Sequence, residues 1–135
     1  MVRQTEVGSA CDHEITYTYD DRNNLVTMKE TRNGRSHVNT YTYDQNNRLT
    51  QIGYGVASKV FGYDSYGRLT DRDVKYNSNL VFEENYTYKT NPDGTPTGQI
   101  AAWQNENTKY DVTYSYSYDA NDILYEICKK LQKPS

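Results

Sequence analysis

The sequence predicts an all-β fold of one domain: an antiparallel meander of about ten strands, built from five hairpins into an open curved sheet. Three observations predict it. Short runs alternate tyrosine or an aliphatic residue with threonine or serine, these runs recur five times, and residues that favour turns separate them. The composition also excludes a thick core. Leu, Ile, Val and Phe number only 22 of 135 residues, a level found in disordered chains, but the net charge is only −3 and 15 tyrosines are present. Each tyrosine can bury roughly 150 Å² or more of ring with its hydroxyl left wet, so tyrosine must do the covering.

The elements follow in order from the repetition. The segments ITYTYDDRNNLVTM, NTYTYDQNNRLTQI, KVFGYDSYGRLTDR, ENYTYKTNPDGTPT and YSYSYDANDILYEI align on Tyr19, Tyr43, Tyr63, Tyr88 and Tyr118, spaced 24, 20, 25 and 30 residues apart. Before each turn the side chains alternate, as in Ile15, Tyr17 and Tyr19 against Thr16, Thr18 and Asp20. That is the period of a strand. Beyond Asp20, Asp44, Asp64 and Asp119 stand Asn23, Asn47, Gly67 and Asp122, then Leu25, Leu49, Leu69 and Leu124. Gly, Asn and Asp best tolerate a left-handed backbone, so this position is predicted to have positive φ. The preceding aspartate is predicted to close the turn by accepting a backbone N–H two residues on.

Second turns are predicted at Asn33-Gly34, Gly53-Tyr54-Gly55, Asn77-Ser78-Asn79 and Asn105-Glu106-Asn107. The strands then fall near 13–19, 25–32, 36–43, 48–53, 57–63, 68–76, 80–88, 98–104, 109–118 and 123–130, in units near 13–34, 36–54, 57–78, 80–107 and 109–131. The fourth unit replaces Tyr-Asp by Tyr88-Lys89, and a longer loop around Pro92-Asp93-Gly94 is expected there.

The string Tyr-Asp-x-x-Gly-Arg-Leu-Thr, complete at 63–70 and nearly so at 43–50, resembles the YD repeat of Rhs proteins over almost the whole chain. Bacterial Rhs and wall-associated polymorphic toxins, the shell subunits of toxin complexes and the teneurins share that motif. The resemblance implies a non-catalytic structural segment of a secreted or cell-surface β-shell that encapsulates and presents a toxin or mediates surface contact. Its implied partners are the remainder of the parent shell, a C-terminal toxin domain and a cell-surface receptor. Five units are too few to close such a shell, and no Rhs-type self-cleavage motif is present, so no autoproteolysis is expected. Asn24 and Ile123 stand where the family usually has arginine. A chain that starts in a polar strand-like segment and stops at LQKPS reads as a piece of a longer protein.

Other chemistry is weakly signalled. A pI near 5.3 with interspersed charge gives no nucleic-acid footprint, and no apolar run is long enough to insert in a membrane. His13, His37 and Cys11 lack the spacing of a zinc site, so neither metal nor cofactor is expected. No nucleophile elbow or phosphate loop is present, and an enzyme is not expected. Cys11 and Cys128 are compatible with one disulfide or with free thiols. Tyr17, Tyr41, Tyr86 and Tyr116, with Trp103, admit two readings. They can stack as a cross-strand ladder, or they can present rings to sugars as a carbohydrate or cell-wall glycan binding adhesin module. The ladder explains the periodicity without a ligand. With strands 13–19 and 123–130 as open edges and no helix to cover the apolar face, the isolated chain is expected to self-associate as a homodimer.

Overall fold

A computed structural model of the chain describes residues 4–8, 13–107 and 111–133. The described residues form eleven strands and no helix: β1 (Gln4–Gly8), β2 (His13–Tyr19), β3 (Leu25–Arg32), β4 (Arg35–Tyr43), β5 (Leu49–Tyr54), β6 (Ala57–Tyr63), β7 (Leu69–Tyr76), β8 (Asn79–Thr90), β9 (Pro96–Asn107), β10 (Asp111–Tyr118) and β11 (Leu124–Gln132). Hydrogen-bonded neighbours are consecutive in the chain, so the sheet order runs from β1 to β11. By internal contacts the chain divides into two units, Met1–Val60 with Tyr76–Ser78, and Phe61–Lys75 with Asn79–Ser135.

No hydrophobic side chain among the described residues is buried. The first unit shows why so few aliphatic residues suffice. One face carries the row Tyr17, Met28, Asn39, Tyr54 and Ala57, and the other carries Thr18, Thr27, Thr40, Gly53 and Ser58. A single pleated layer half-covers both rows by cross-strand contact, and only Thr40 among these residues is exposed. Across that second face, Thr18 and Thr27 hydroxyls meet at 2.6 Å.

Several expectations need correction. The ten expected strands are joined by β1, which pairs with β2 from Gln4↔Tyr17 to Gly8↔His13, so His13–Tyr19 is not an edge. A five-residue stretch whose only aliphatic residue is Val7 carries no readable alternation, and only its pairing makes it a strand. Asn105 to Asn107 is not a turn but the end of β9, where Asn105 lies opposite Glu84 and Val112 and is buried. Gly53 and Tyr54 belong to β5, and the turn is Gly55-Val56 with φ 63° at the glycine. The fourth loop is not longer. Its strands are, with twelve residues each in β8 and β9. The Asn33-Gly34 turn has φ of 50° and 73°, and Asn77-Ser78 has 48° and 65°, the left-handed pair that matches strand twist in a two-residue hairpin.

Candidate functional site

The residues singled out by the repetition gather at five turns joining β2–β3, β4–β5, β6–β7, β8–β9 and β10–β11. At each turn one N–H bond closes a five-residue ring of backbone: Asp20 to the Asn24 carbonyl at 2.9 Å, Asp44 to Arg48 at 2.9 Å, Asp64 to Arg68 at 3.0 Å, Asn91 to Thr95 at 2.9 Å and Asp119 to Ile123 at 2.9 Å. The residue three after the start donates back to it, and it is left-handed in all five: Asn23 at 68°, Asn47 at 61°, Gly67 at 83°, Gly94 at 82° and Asp122 at 62°. This is a type I turn followed by a one-residue bulge in the left-handed region, the common three-residue hairpin loop.

The aspartate side chain repeats the backbone's work. One Asp20 carboxylate oxygen accepts the N–H groups of Arg22 and Asn24 at 3.0 and 2.8 Å, and Asp44, Asp64 and Asp119 accept the equivalent pairs at 2.8 to 2.9 Å. The second oxygen takes the Arg48 or Arg68 Nε–H at 2.7 Å, or the Asn24 amide at 3.0 Å. These bonds tune the carboxyls. The Asn24 side chain and N–H hold Asp20 below the ordinary value, and the Arg48 N–H does so first for Asp44. Burial pushes Asp64 up, but the Arg68 and Tyr66 bonds together outweigh it and hold it low.

At the fourth hairpin Asn91, not Lys89, occupies the aspartate's place, two residues further along. The extension adds two residues to β8 after Tyr88 and four to β9 before Ile100, and the mismatch is taken up by register shifts in the ladder. Asp93 there accepts the Thr95 N–H at 2.9 Å and the Thr95 hydroxyl at 2.6 Å, which lower its pKa, and Asn91 donates to Thr95 at 2.8 Å.

The tyrosines before the turns tie hairpins together. The Tyr43 hydroxyl donates to the Leu25 carbonyl at 3.0 Å, Tyr88 to Leu69 at 2.7 Å and Tyr118 to Ile100 at 2.9 Å. Ile100, opposite Tyr88, thus fills the place of the leucines, a role the sequence alignment misses because of the extension. Burial pushes the Tyr43 hydroxyl up, keeping it a donor. Tyr19, Tyr63 and Leu49 are half-buried, whereas Leu124 is exposed. Basic residues reinforce the ties. Arg22 donates to the Gln45 carbonyl at 3.2 Å and to Asn47 at 3.3 Å, the Arg68 guanidinium lies 4.4 Å over the Tyr88 ring and donates to Thr97, and Lys89 meets Asp122 at 3.0 Å while lying 5.5 Å over Tyr118.

The glycan-stacking candidates are dispersed. Tyr17 opposes Met28, Tyr41 opposes Ile52, Tyr86 opposes Trp103, Trp103 also opposes Tyr114, and Tyr116 opposes Ile127. All four tyrosines and Trp103 are half-buried. These four tyrosines lie on β2, β4, β8 and β10, no two of them neighbouring strands, so none of them opposes another in the sheet. Trp103 packs against Tyr114, which is not one of these candidates, with ring centroids 5.2 Å apart.

Two further places hold chemistry. An open groove of about 430 Å³ between the first two turns is lined by Asp20, Asp21, Arg22, Tyr41 and Gln45 among others. In the second unit Glu84 is 5% exposed, paired with Arg72, and accepts the Tyr86 hydroxyl at 3.2 Å. Burial and then the Glu84 charge push Tyr86 up. A buried carboxylate in mid-strand needs such partners, and nothing in the local pattern around Glu83-Glu84 announces which residue would supply them. Close approach also explains Gly62: a Cβ there would run into the Asp71 carboxylate, itself held by Thr70 at 2.7 Å.

His13 lies 2.9 Å from Glu30, and Glu30, Arg32, Arg35 and His37 line a second open groove. Among the described residues no group of three or more His, Cys, Asp or Glu is placed to hold a metal. Cys128 is free and exposed, and Cys11 lies outside the described residues. Compared with models of known families and with curated proteins, the chain matches none.

Proposed function

We propose that the chain is a non-catalytic structural segment of a secreted or cell-surface YD-repeat β-shell, which encapsulates and presents a toxin domain or mediates surface contact. The observation that carries this reading is where the motif's polar atoms go. Tyr43, Tyr88 and Tyr118 hydroxyls are bonded to the backbone of the preceding hairpin, and the Asp20, Asp44, Asp64 and Asp119 carboxylates to their own turns. Groups engaged this way at three of the five hairpins for tyrosine and four of the five for aspartate serve extension of the sheet, whereas acid–base or nucleophilic chemistry needs a few groups converging on one point.

The groove beside Asp21, Arg22 and Gln45 favours a second reading, carbohydrate or cell-wall glycan binding, because it offers a carboxylate, a guanidinium and an amide beside the Tyr41 ring. Titration with peptidoglycan fragments and wall glycans separates the two, read by tyrosine and Trp103 fluorescence. The structural reading expects no saturable change. Saturable quenching that weakens in Asp21→Ala and Gln45→Ala would overturn it in favour of the adhesin.

A further inference from the structure

β11 is the last strand of the sheet, and along it Ile127 and Leu131 are 56% and 55% exposed, with Ile123, Leu124 and Tyr125 also uncovered. A nine-residue edge with no proline is a template for another strand. Lys129 and Lys130 would ordinarily blunt it. Lys129 is directed elsewhere, its ammonium lying 5.6 Å over the Tyr114 ring of its own sheet. Lys130 faces the other side, opposite Thr113, on the same face as Cys128 opposite Ser115 and Glu126 opposite Ser117. Among the described residues, the β10 positions opposite Glu126 and Lys130 are the uncharged Ser117 and Thr113.

We propose that a second copy of this chain pairs antiparallel along β11, about a two-fold axis through Cys128. The register follows from symmetry and charge. Antiparallel edge strands related by a two-fold axis normal to the sheet keep their faces, so only residues of one face can oppose each other. Glu126 can then meet Lys130 of the other copy but never Lys129. That pairing fixes the centre at Cys128 and occurs twice by symmetry. The same register sets Tyr125 against Leu131 of the other copy, also twice, and Ile127 against the alkyl stem of Lys129. Shifting the centre to residue 127 or 129 removes both charge pairs, and a centre at 129 opposes two lysines. Opposite charges directly across antiparallel strands stabilise pairing and like charges oppose it. The continued sheet covers Ile127 and Leu131 by the means that covers aromatic rows elsewhere in the chain. The pairing is that of the 135-residue chain by itself and uses only the face and charge order of β11, whereas in the shell reading a following strand would take the same edge.

Sedimentation velocity under reducing conditions, over a concentration series of the full chain, tests it. Dimer formation is expected at micromolar concentrations. Glu126→Lys alone and Lys130→Glu alone each turn two attractive pairs into two repulsive ones, and each is expected to weaken dimerisation by roughly tenfold or more. The double variant restores both pairs with reversed polarity and the original net charge, and is expected to recover the dimer. In a Cys11→Ser background, diamide should join the two Cys128 thiols of the dimer, which lose two electrons and two protons to the reagent, and the single reversals should suppress that product. All three positions are exposed, and far-UV circular dichroism verifies that the variants keep their strands. A strict monomer at high micromolar concentration, or a dimer indifferent to the reversals, overturns the proposal.

Discussion

The third and fifth turns share a backbone and differ in what holds them. Both close through the same two N–H bonds, and both place a left-handed residue at the same point, Gly67 at 83° and Asp122 at 62°. Yet Arg68 binds Asp64, donates to Thr97 and covers Tyr88, while Ile123 in the equivalent position is 60% exposed and holds nothing. The Leu69 carbonyl receives the Tyr88 hydroxyl, whereas no described tyrosine reaches that of Leu124. Turn geometry is thus a local code that survives loss of the arginine. The fifth turn is held from the preceding hairpin instead, by Tyr118 on the Ile100 carbonyl and by Lys89 and Gln99 on Asp122.

Acid should break the comparison most broadly, because several turn carboxylates act together. Asp20, Asp44, Asp64 and Asp93 are held below their ordinary 3.8, so their stabilising contribution is complete above that value and is lost as pH falls through the lower folded values. Asp73, raised by burial and by Glu83, acts in the opposite sense. With four groups against one, urea midpoints are expected to drop between about pH 5 and pH 2. Asp64→Asn should flatten part of that slope, and an unchanged slope would mean that the third turn does not use the ionised carboxylate.

Gly67→Val comes next. A branched side chain forced into the left-handed region is expected to cost about 1–2 kcal/mol in denaturant melts. Gly67→Asn should be nearly silent, as Asn23 and Asn47 already sit at such positions. Equal stability of the two variants would contradict the turn's positive φ.

Removing the tether itself, by Tyr88→Phe, is expected to cost about 1 kcal/mol, the net worth of one hydrogen bond. Tyr125→Phe, at an exposed position just after the fifth turn, should cost nothing measurable. The smallest effect is expected from Ile123→Arg, which supplies the missing partner for Asp119. An exposed pair of this kind contributes roughly 0.2–1 kcal/mol, less at high salt. A loss of stability on this substitution would show that the fifth turn cannot seat the arginine as the third does.

Much of the fold was legible because its determinants are short-range. Alternation of Tyr with Thr or Ser gives the strands, and Asn23, Asn47, Gly67 and Asp122 mark left-handed positions that few other residues adopt without strain. The sequence alone also specifies a thin sheet, since 22 Leu, Ile, Val and Phe residues cannot fill a thick interior. What it left open depends on partners distant in the chain. β1 is a strand because β2 pairs with it, Asn105 is buried because Glu84 and Val112 flank it, and Asn91 takes the aspartate's place because β8 continues two residues past Tyr88 and β9 begins four residues before Ile100. The tyrosine hydroxyls reach carbonyls 18 or 19 residues away, and the Arg72–Glu84 pair spans two strands. Register brings these groups together. It is set by the sum of many cross-strand contacts, and only the assembled sheet decides which residues face each other.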